Sequence, residues 1–192
     1  AMTSVTIDNN VTIIGNQAFF GCSGLTSLTL PTGLKKIDGS AFRLANKIKT
    51  INVPSGTELL GSGCFADMAA LSSATIPSSV TSIGAYAFQD CDGLTSIVIP
   101  SGVTSIGECA FASCSSLLEI TIPNSVKRIG DQAFYGCSSL RTVNIQNGVI
   151  SIGKEAFINK LEEYDPGSSV VVTKIFDLIE SIEKTLDFVS NI

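Results

Sequence analysis

Phenylalanine recurs at positions 19, 42, 65, 88, 111, 134 and 157, and every interval is 23 residues. Alanine precedes it at 18, 41, 87, 110, 133 and 156, with Cys64 in the remaining place. A fixed period of this length marks a solenoid, in which one small unit stacks on its own copies. Other columns keep the phase. Six residues after Phe stand Leu25, Ile48, Leu71, Leu94, Leu117 and Leu140; nine after stand Leu28, Ile51, Ala74, Ile97, Ile120 and Val143. Eleven after stand Leu30, Val53, Ile76, Ile99, Ile122 and Ile145, and then Pro at 31, 54, 77, 100 and 123, with Gln146 as the exception. Two further columns run through Val126 and Ile129, and Gly closes the unit at 61, 84, 107, 130 and 153. Counted backwards, Val5, Ile7, Val11, Ile14 and Gly15 fill the same places, so the chain opens inside a repeat, at its strand.

Residues 117–139, LLEITIPNSVKRIGDQAFYGCSS, show what one unit does. Ile120 and Ile122 alternate with Glu119 and Thr121, the period of a strand with one buried face. Pro123 has no N–H and ends the ladder, and Asn124-Ser125 turns the chain. Val126 and Ile129 point inward from a second extended piece, Gly130 permits a tight bend, and Asp131 caps a helical turn over DQAFYGC. Stacked strands at 3–7, 26–30, 49–53, 72–76, 95–99, 118–122 and 141–145 form a parallel sheet with rungs about 4.8 Å apart. A parallel β-helix is the rival architecture; the helical turn and the single Pro-terminated strand weigh against it. Residues 38–75 read as the weakest stretch, because Ala45 and Met68 replace Cys, Ala74 replaces Ile and Thr57 replaces Val.

Composition narrows the function. Only 15% of the residues are charged and the net charge is −5, which supplies none of the basic surplus that nucleic-acid binding needs. Histidine is absent, which removes the commonest general base and metal ligand. No apolar run approaches the roughly 20 residues of a bilayer span, so no membrane insertion is expected. No serine or carboxylate is singled out beside a base, so the chain reads as no enzyme, with no catalytic residue, cofactor or metal.

The columns L-x-x-I-x-I-P-x-x-V-x-x-I-G-x-x-A-F-x-x-C, closest to the pattern in PSGVTSIGECAFASCSSL from Pro100 to Leu117, resemble the BspA-type (Treponema pallidum type) leucine-rich repeats. The resemblance implies an α/β fold: a right-handed leucine-rich repeat solenoid over 3–157, with a parallel β-sheet on the concave face. It also implies a surface or secreted protein that adheres to host or cell-surface proteins.

Residues 158–192 leave the pattern. Lys160 stands where Cys belongs, and Asp165-Pro166 where a strand would begin. From Thr173 the period becomes helical, with Ile175, Leu178, Ile179, Ile182, Leu186 and Val189 on one stripe. This predicts an amphipathic helix over 174–190 acting as a C-terminal helical cap, with dimerisation through the same stripe as the alternative. No matching cap precedes strand 3–7, which would leave an open edge, expected of a fragment or of packing between chain ends. The expected state is therefore a monomer or weak dimer through the chain ends.

Three features compete as sites. Cys22, Cys91, Cys114 and Cys137 share a column; without a CxxC pair they read as small buried hydrophobes rather than disulfides or zinc ligands, and Cys64 and Cys109 read as structural too. Lys35, Lys36, Arg43, Lys47 and Lys49 cluster once and read as a solvated rim. Asn10-Val11-Thr12 is a glycosylation sequon of the kind common by chance. The candidate binding surface is the outward face of the strands: Ser27, Thr29, Thr50, Asn52, Ser73, Thr75, Ser96, Val98, Glu119, Thr121, Thr142 and Asn144, with Ser4 and Thr6 before them. Solenoids bind partners on such faces, though Thr and Ser also simply suit exposed strand positions. The expected function is a non-catalytic protein-interaction and adhesion module with a protein partner; an intracellular scaffold or a structural spacer is the alternative.

Overall fold

The computed structural model describes residues 2–158. The expected cap helix over 174–190 lies outside the described residues. Among them run the short strands β1 (Ile13–Ile14), β2 (Lys36–Ile37), β3 (Thr50–Asn52), β4 (Leu59–Leu60), β5 (Ser73–Thr75), β6 (Ser82–Ile83), β7 (Ser96–Ile97), β8 (Ser105–Ile106), β9 (Glu119–Ile122), β10 (Arg128–Ile129), β11 (Thr142–Ile145) and β12 (Ser151–Ile152). All pairings are parallel and join residues one period apart, as in Ile13 with Lys36 and Thr142 with Glu119. The coil therefore repeats without slippage.

The longest sheet is not the expected one. Seven two-residue strands, in the order β1-β2-β4-β6-β8-β10-β12, form an unbroken ladder from the second extended piece of each repeat. The strands expected to carry one seven-stranded sheet instead form two shorter ones, β3-β5-β7 and β9-β11. Segments 3–7 and 26–30 are not strands; of their backbones, Thr26 N–H reaches Thr3 O at 3.3 Å. The reason lies in the closing glycine. Gly61, Gly84, Gly107 and Gly130 let successive repeats approach at backbone distance beside the second piece, and a ladder forms where approach is closest.

The turn around Phe is not helical either. Gln17, Phe19 and Gly21 donate their N–H groups to Gly39, Ala41 and Arg43 O of the next repeat at 2.8–2.9 Å. The residues between them close tight turns, Ala18 to Gly15 O and Cys22 to Phe19 O, both at 3.2 Å. This alternation requires left-handed backbone two residues either side of Phe: Gln17, Ser40, Tyr86, Cys109, Gln132 and Glu155 before it, and Leu44, Asp67, Asp90 and Ser113 after it. Glycine takes the same columns at 21, 63 and 136, where positive φ carries no Cβ penalty. An α-helix would satisfy these donors within one repeat; the alternating turn sends them to the neighbour, adding a third set of bonds that tie the stack together.

The core is one continuous cluster of the apolar columns. The Phe rings stand in file, with centroids 5.1–5.9 Å apart, all neighbours stacked except Phe65 and Phe88, which are tilted by 36°. The stretch expected to be weakest is stitched in other ways. The widest ring spacing, 5.9 Å, separates Phe42 from Phe65, and neither Ala45 nor Met68 offers a thiol there. Across this seam Arg43 meets Asp67 at 2.6 Å and Lys35 meets Glu58 at 3.8 Å. Thr57, fully buried, donates its hydroxyl to Leu34 O at 3.1 Å, so its polar atom carries no unpaired burial cost.

A Cβ built on Gly107 would lie 2.5 Å from Ala85 N and 2.7 Å from Gly84 C, both backbone atoms that no rotamer change can move. Gly107→Ala is expected to cost about 1–3 kcal/mol or more, because the repeats must separate to admit the methyl group. Urea unfolding measures this; an unchanged midpoint would mean that the repeats do not approach as closely as described.

Candidate interaction face

The inward column of each strand, Ile51, Ala74, Ile97 and Ile120, is buried. Period-two alternation then turns the neighbouring side chains to solvent. Ser27, Thr29, Thr50, Asn52, Ser73, Thr75, Ser96, Val98, Glu119, Thr121, Thr142 and Asn144 are all exposed. Register places them in two files: Thr50 beside Ser73 and Ser96, and Asn52 beside Thr75. Glu119 pairs with Thr142 and Thr121 with Asn144. One bond joins neighbours within a file: Thr75 Oγ1 donates to Asn52 Oδ1 at 3.1 Å. Along the margin, Ser72 donates to Lys49 O at 3.0 Å and Thr95 to Ser72 O at 3.5 Å. On the face itself the hydroxyl rotor so fixed is that of Thr75, which would otherwise be ordered at a cost on binding.

Glu119 is the single charge among the twelve. Val98 is the apolar one, and at 78% exposure it stands out further than any other large hydrophobic side chain among the described residues. Leu118 is missing from the expected list. It is 51% exposed beside Glu119, in a column that elsewhere holds Thr26, Lys49, Ser72, Thr95 and Arg141. An apolar residue in a polar column was the available signal.

The rival sites fare as follows. All six cysteines are unpaired. Cys91, Cys114 and Cys137 each donate S–H to a carbonyl of the preceding repeat, Phe65, Phe88 and Phe111 O, at 3.2 Å. Burial pushes the Cys91 and Cys137 thiols up to about 12, far from the thiolate a metal or nucleophilic site needs. No group of three or more side chains suited to a metal occurs among the described residues. The basic cluster is partly neutralised, since Lys35 and Arg43 are the two residues paired with Glu58 and Asp67. No helix among the described residues is long and apolar enough to cross a membrane.

Comparison with known proteins agrees with this geometry. Residues 1–117 and 60–172 match the family described as BspA type leucine rich repeat region, in six copies. A search of curated proteins found no match. Among solved structures, a leucine-rich repeat protein from Bacteroides ovatus is 31% identical, with a TM-score of 0.63 over 80% of this chain and 45% of that one. The T. pallidum leucine rich repeat protein, at 24% identity and TM-score 0.66, covers 78% of this chain and 82% of its own. The pneumococcal vaccine antigen PcpA shares the fold at 21% identity and TM-score 0.55, over 81% of this chain and 50% of that one. This chain thus spans less than half of the Bacteroides ovatus protein. With its 23-residue coil, its parallel ladders and this match over most of its length, the chain belongs to the BspA-type leucine-rich repeat family.

Proposed function

We propose that the chain is a non-catalytic protein-interaction module that grips its partner through the outward strand face, within a cell-surface or secreted adhesion protein. Leucine-rich repeat proteins of this family generally serve protein interaction, and the family resemblance supports the surface placement. The observation that carries the reading is the composition of the face: twelve exposed side chains, nine of them in strand register, one charge among them, and Val98 at 78% exposure in their midst. Protein interfaces have this character at their centre, poor in charge and anchored by a few apolar contacts within a hydrogen-bonding surround.

The chain, immobilised on beads, is to be titrated with a panel of purified extracellular and cell-surface proteins. For any partner found, Val98→Asp is expected to weaken binding at least about tenfold, the size of loss that marks an interface anchor. Thr121→Ala is expected to weaken it less and to leave stability nearly unchanged, because its side chain is exposed. Lys36→Glu, on the seven-stranded ladder, should leave binding as it was. Full binding by Val98→Asp, or its loss in Lys36→Glu, would move the interface elsewhere; unfolding by Thr121→Ala would invert the assignment of faces.

A further inference from the structure

The turn that follows each outward strand is uniform until the last described one. Val11, Leu34, Thr57, Val80, Val103 and Val126 donate their N–H groups to Asp8, Pro31, Pro54, Pro77, Pro100 and Pro123 O at 3.0–3.1 Å, closing the same turn six times. At the next turn Gln146 replaces proline. Its N–H joins Ile122 O at 3.0 Å, and its side-chain Oε1 accepts the N–H of Asn124 at 3.0 Å. Val149 makes no turn-closing bond among the described residues; Gly148 N–H reaches Gln146 O at 2.7 Å instead. The residue carried at the tip is Asn147, exposed, with no side-chain hydrogen bond among the described residues.

Asn147-Gly148 is the single Asn-Gly pair of the sequence. A glycine after asparagine leaves the following backbone nitrogen unshielded by a Cβ. The fold also insists on that glycine, because a Cβ at 148 would strike the carbonyl of Asn124. The array therefore holds at this turn the dipeptide most open to intramolecular attack. We infer that Asn147 is a site of spontaneous covalent modification. Gly148 N, losing its proton to hydroxide, attacks Asn147 Cγ; the new N–C bond closes a succinimide and the side-chain nitrogen leaves as ammonia. Water then opens the ring at either carbonyl, giving aspartate or isoaspartate. Both products place a carboxylate one repeat from Asn124, whose carbonyl accepts from Lys127 Nζ at 3.2 Å. Isoaspartate also lengthens the main chain by one carbon in a turn where Gly148 abuts Asn124. The product is a substrate for carboxyl methyltransferases specific for isoaspartyl groups.

The same column supplies an internal control. Asn124-Ser125 occupies the equivalent turn one repeat earlier, closed by the Val126 bond and held by Gln146, and its serine carries a Cβ. The full chain is to be incubated at mildly alkaline pH, with ammonia release, peptide mapping and enzymatic methyl acceptance as readouts. The expected result is one ammonia per chain, mapped to 147, at a rate rising in proportion to hydroxide and slower than that of a free peptide spanning 144–151, because Gln146 O holds the Gly148 N–H. Asn147→Ser should release none and keep its unfolding midpoint. Asp38-Gly39 and Asp92-Gly93 can form isoaspartate without ammonia, so ammonia discriminates. An intact Asn147 in the folded chain while the peptide converts, or ammonia arising at Asn124 instead, would overturn the inference.

Discussion

Phe111→Ala is expected to destabilise the array by about 3–5 kcal/mol, the range for emptying a fully buried aromatic site. The ring lies 5.3 Å from Phe88 and 5.2 Å from Phe134, nearly parallel to both, so two ring pairs vanish with one side chain. Repeats contact their neighbours alone, and coupling between the two halves passes through this point. Chemical unfolding should therefore show a lower midpoint, and calorimetry a broadened or divided transition. Phe157→Ala, at a half-buried site stacked on Phe134 alone among the described residues, should cost clearly less. Equal losses at 111 and 157 would contradict a shared spine.

Alkali should unfold this protein steeply, through its thiols. Burial is the chief cause that raises Cys91 and Cys137 from 9.0 to about 12, and it raises Cys64 and Cys114 as well. A thiol whose folded pKa lies above its unfolded one contributes stability that is complete below the unfolded value and disappears as pH rises through the folded one. Between about pH 9 and 12 the unfolded chain has lost protons that the folded chain retains, so stability falls by about 1.4 kcal/mol per pH unit for each such thiol. Four thiols together reach about 5–6 kcal/mol per pH unit. Lysines and tyrosines also titrate in this window, so the decisive comparison is with a Cys91→Ala, Cys137→Ala double variant. Ala45 shows that the column accepts alanine. The variant starts less stable, having lost two S–H hydrogen bonds, but its stability should fall less steeply with pH than the parent's, by about 3 kcal/mol per pH unit, the share of the two thiols removed. Parallel slopes would mean that these thiols ionise freely in the folded state.

The apolar columns of this solenoid were legible because burial dictates them: a position that packs against a copy of itself tolerates little but Phe, Leu, Ile or Val. Alternation likewise separated Ile120 from Glu119 and Thr121 correctly. What the columns could not rank was the strength of the two extended pieces. Ladder strength depends on how closely backbones approach, and that is set by Gly84, Gly107 and Gly130 rather than by the residues that form the strands. The helical reading of the Phe turn failed for a related reason. Ala, Phe and Cys at near-helical spacing suit any compact turn, whereas the left-handed residues two places either side of Phe are mostly Gln, Ser, Asp and Tyr, and only Gly21, Gly63 and Gly136 betray the requirement. With the helical turn gone, and with two laddered strands in most repeats instead of a single Pro-terminated one, both arguments against a parallel β-helix go. The repeat itself, matched by the family, decides the architecture. The outward face was readable as exposed, but no partner is written in Ser and Thr.

Among the described residues the two ion pairs that join different repeats, Lys35 with Glu58 and Arg43 with Asp67, cross the same seam, where the rings are furthest apart and no thiol reaches over. Load applied along a one-dimensional stack passes through every junction in series. Dissolved ions weaken exposed charge pairs and leave stacked rings and buried thiols alone. Added salt therefore weakens this one junction by a small amount and leaves the others as they were.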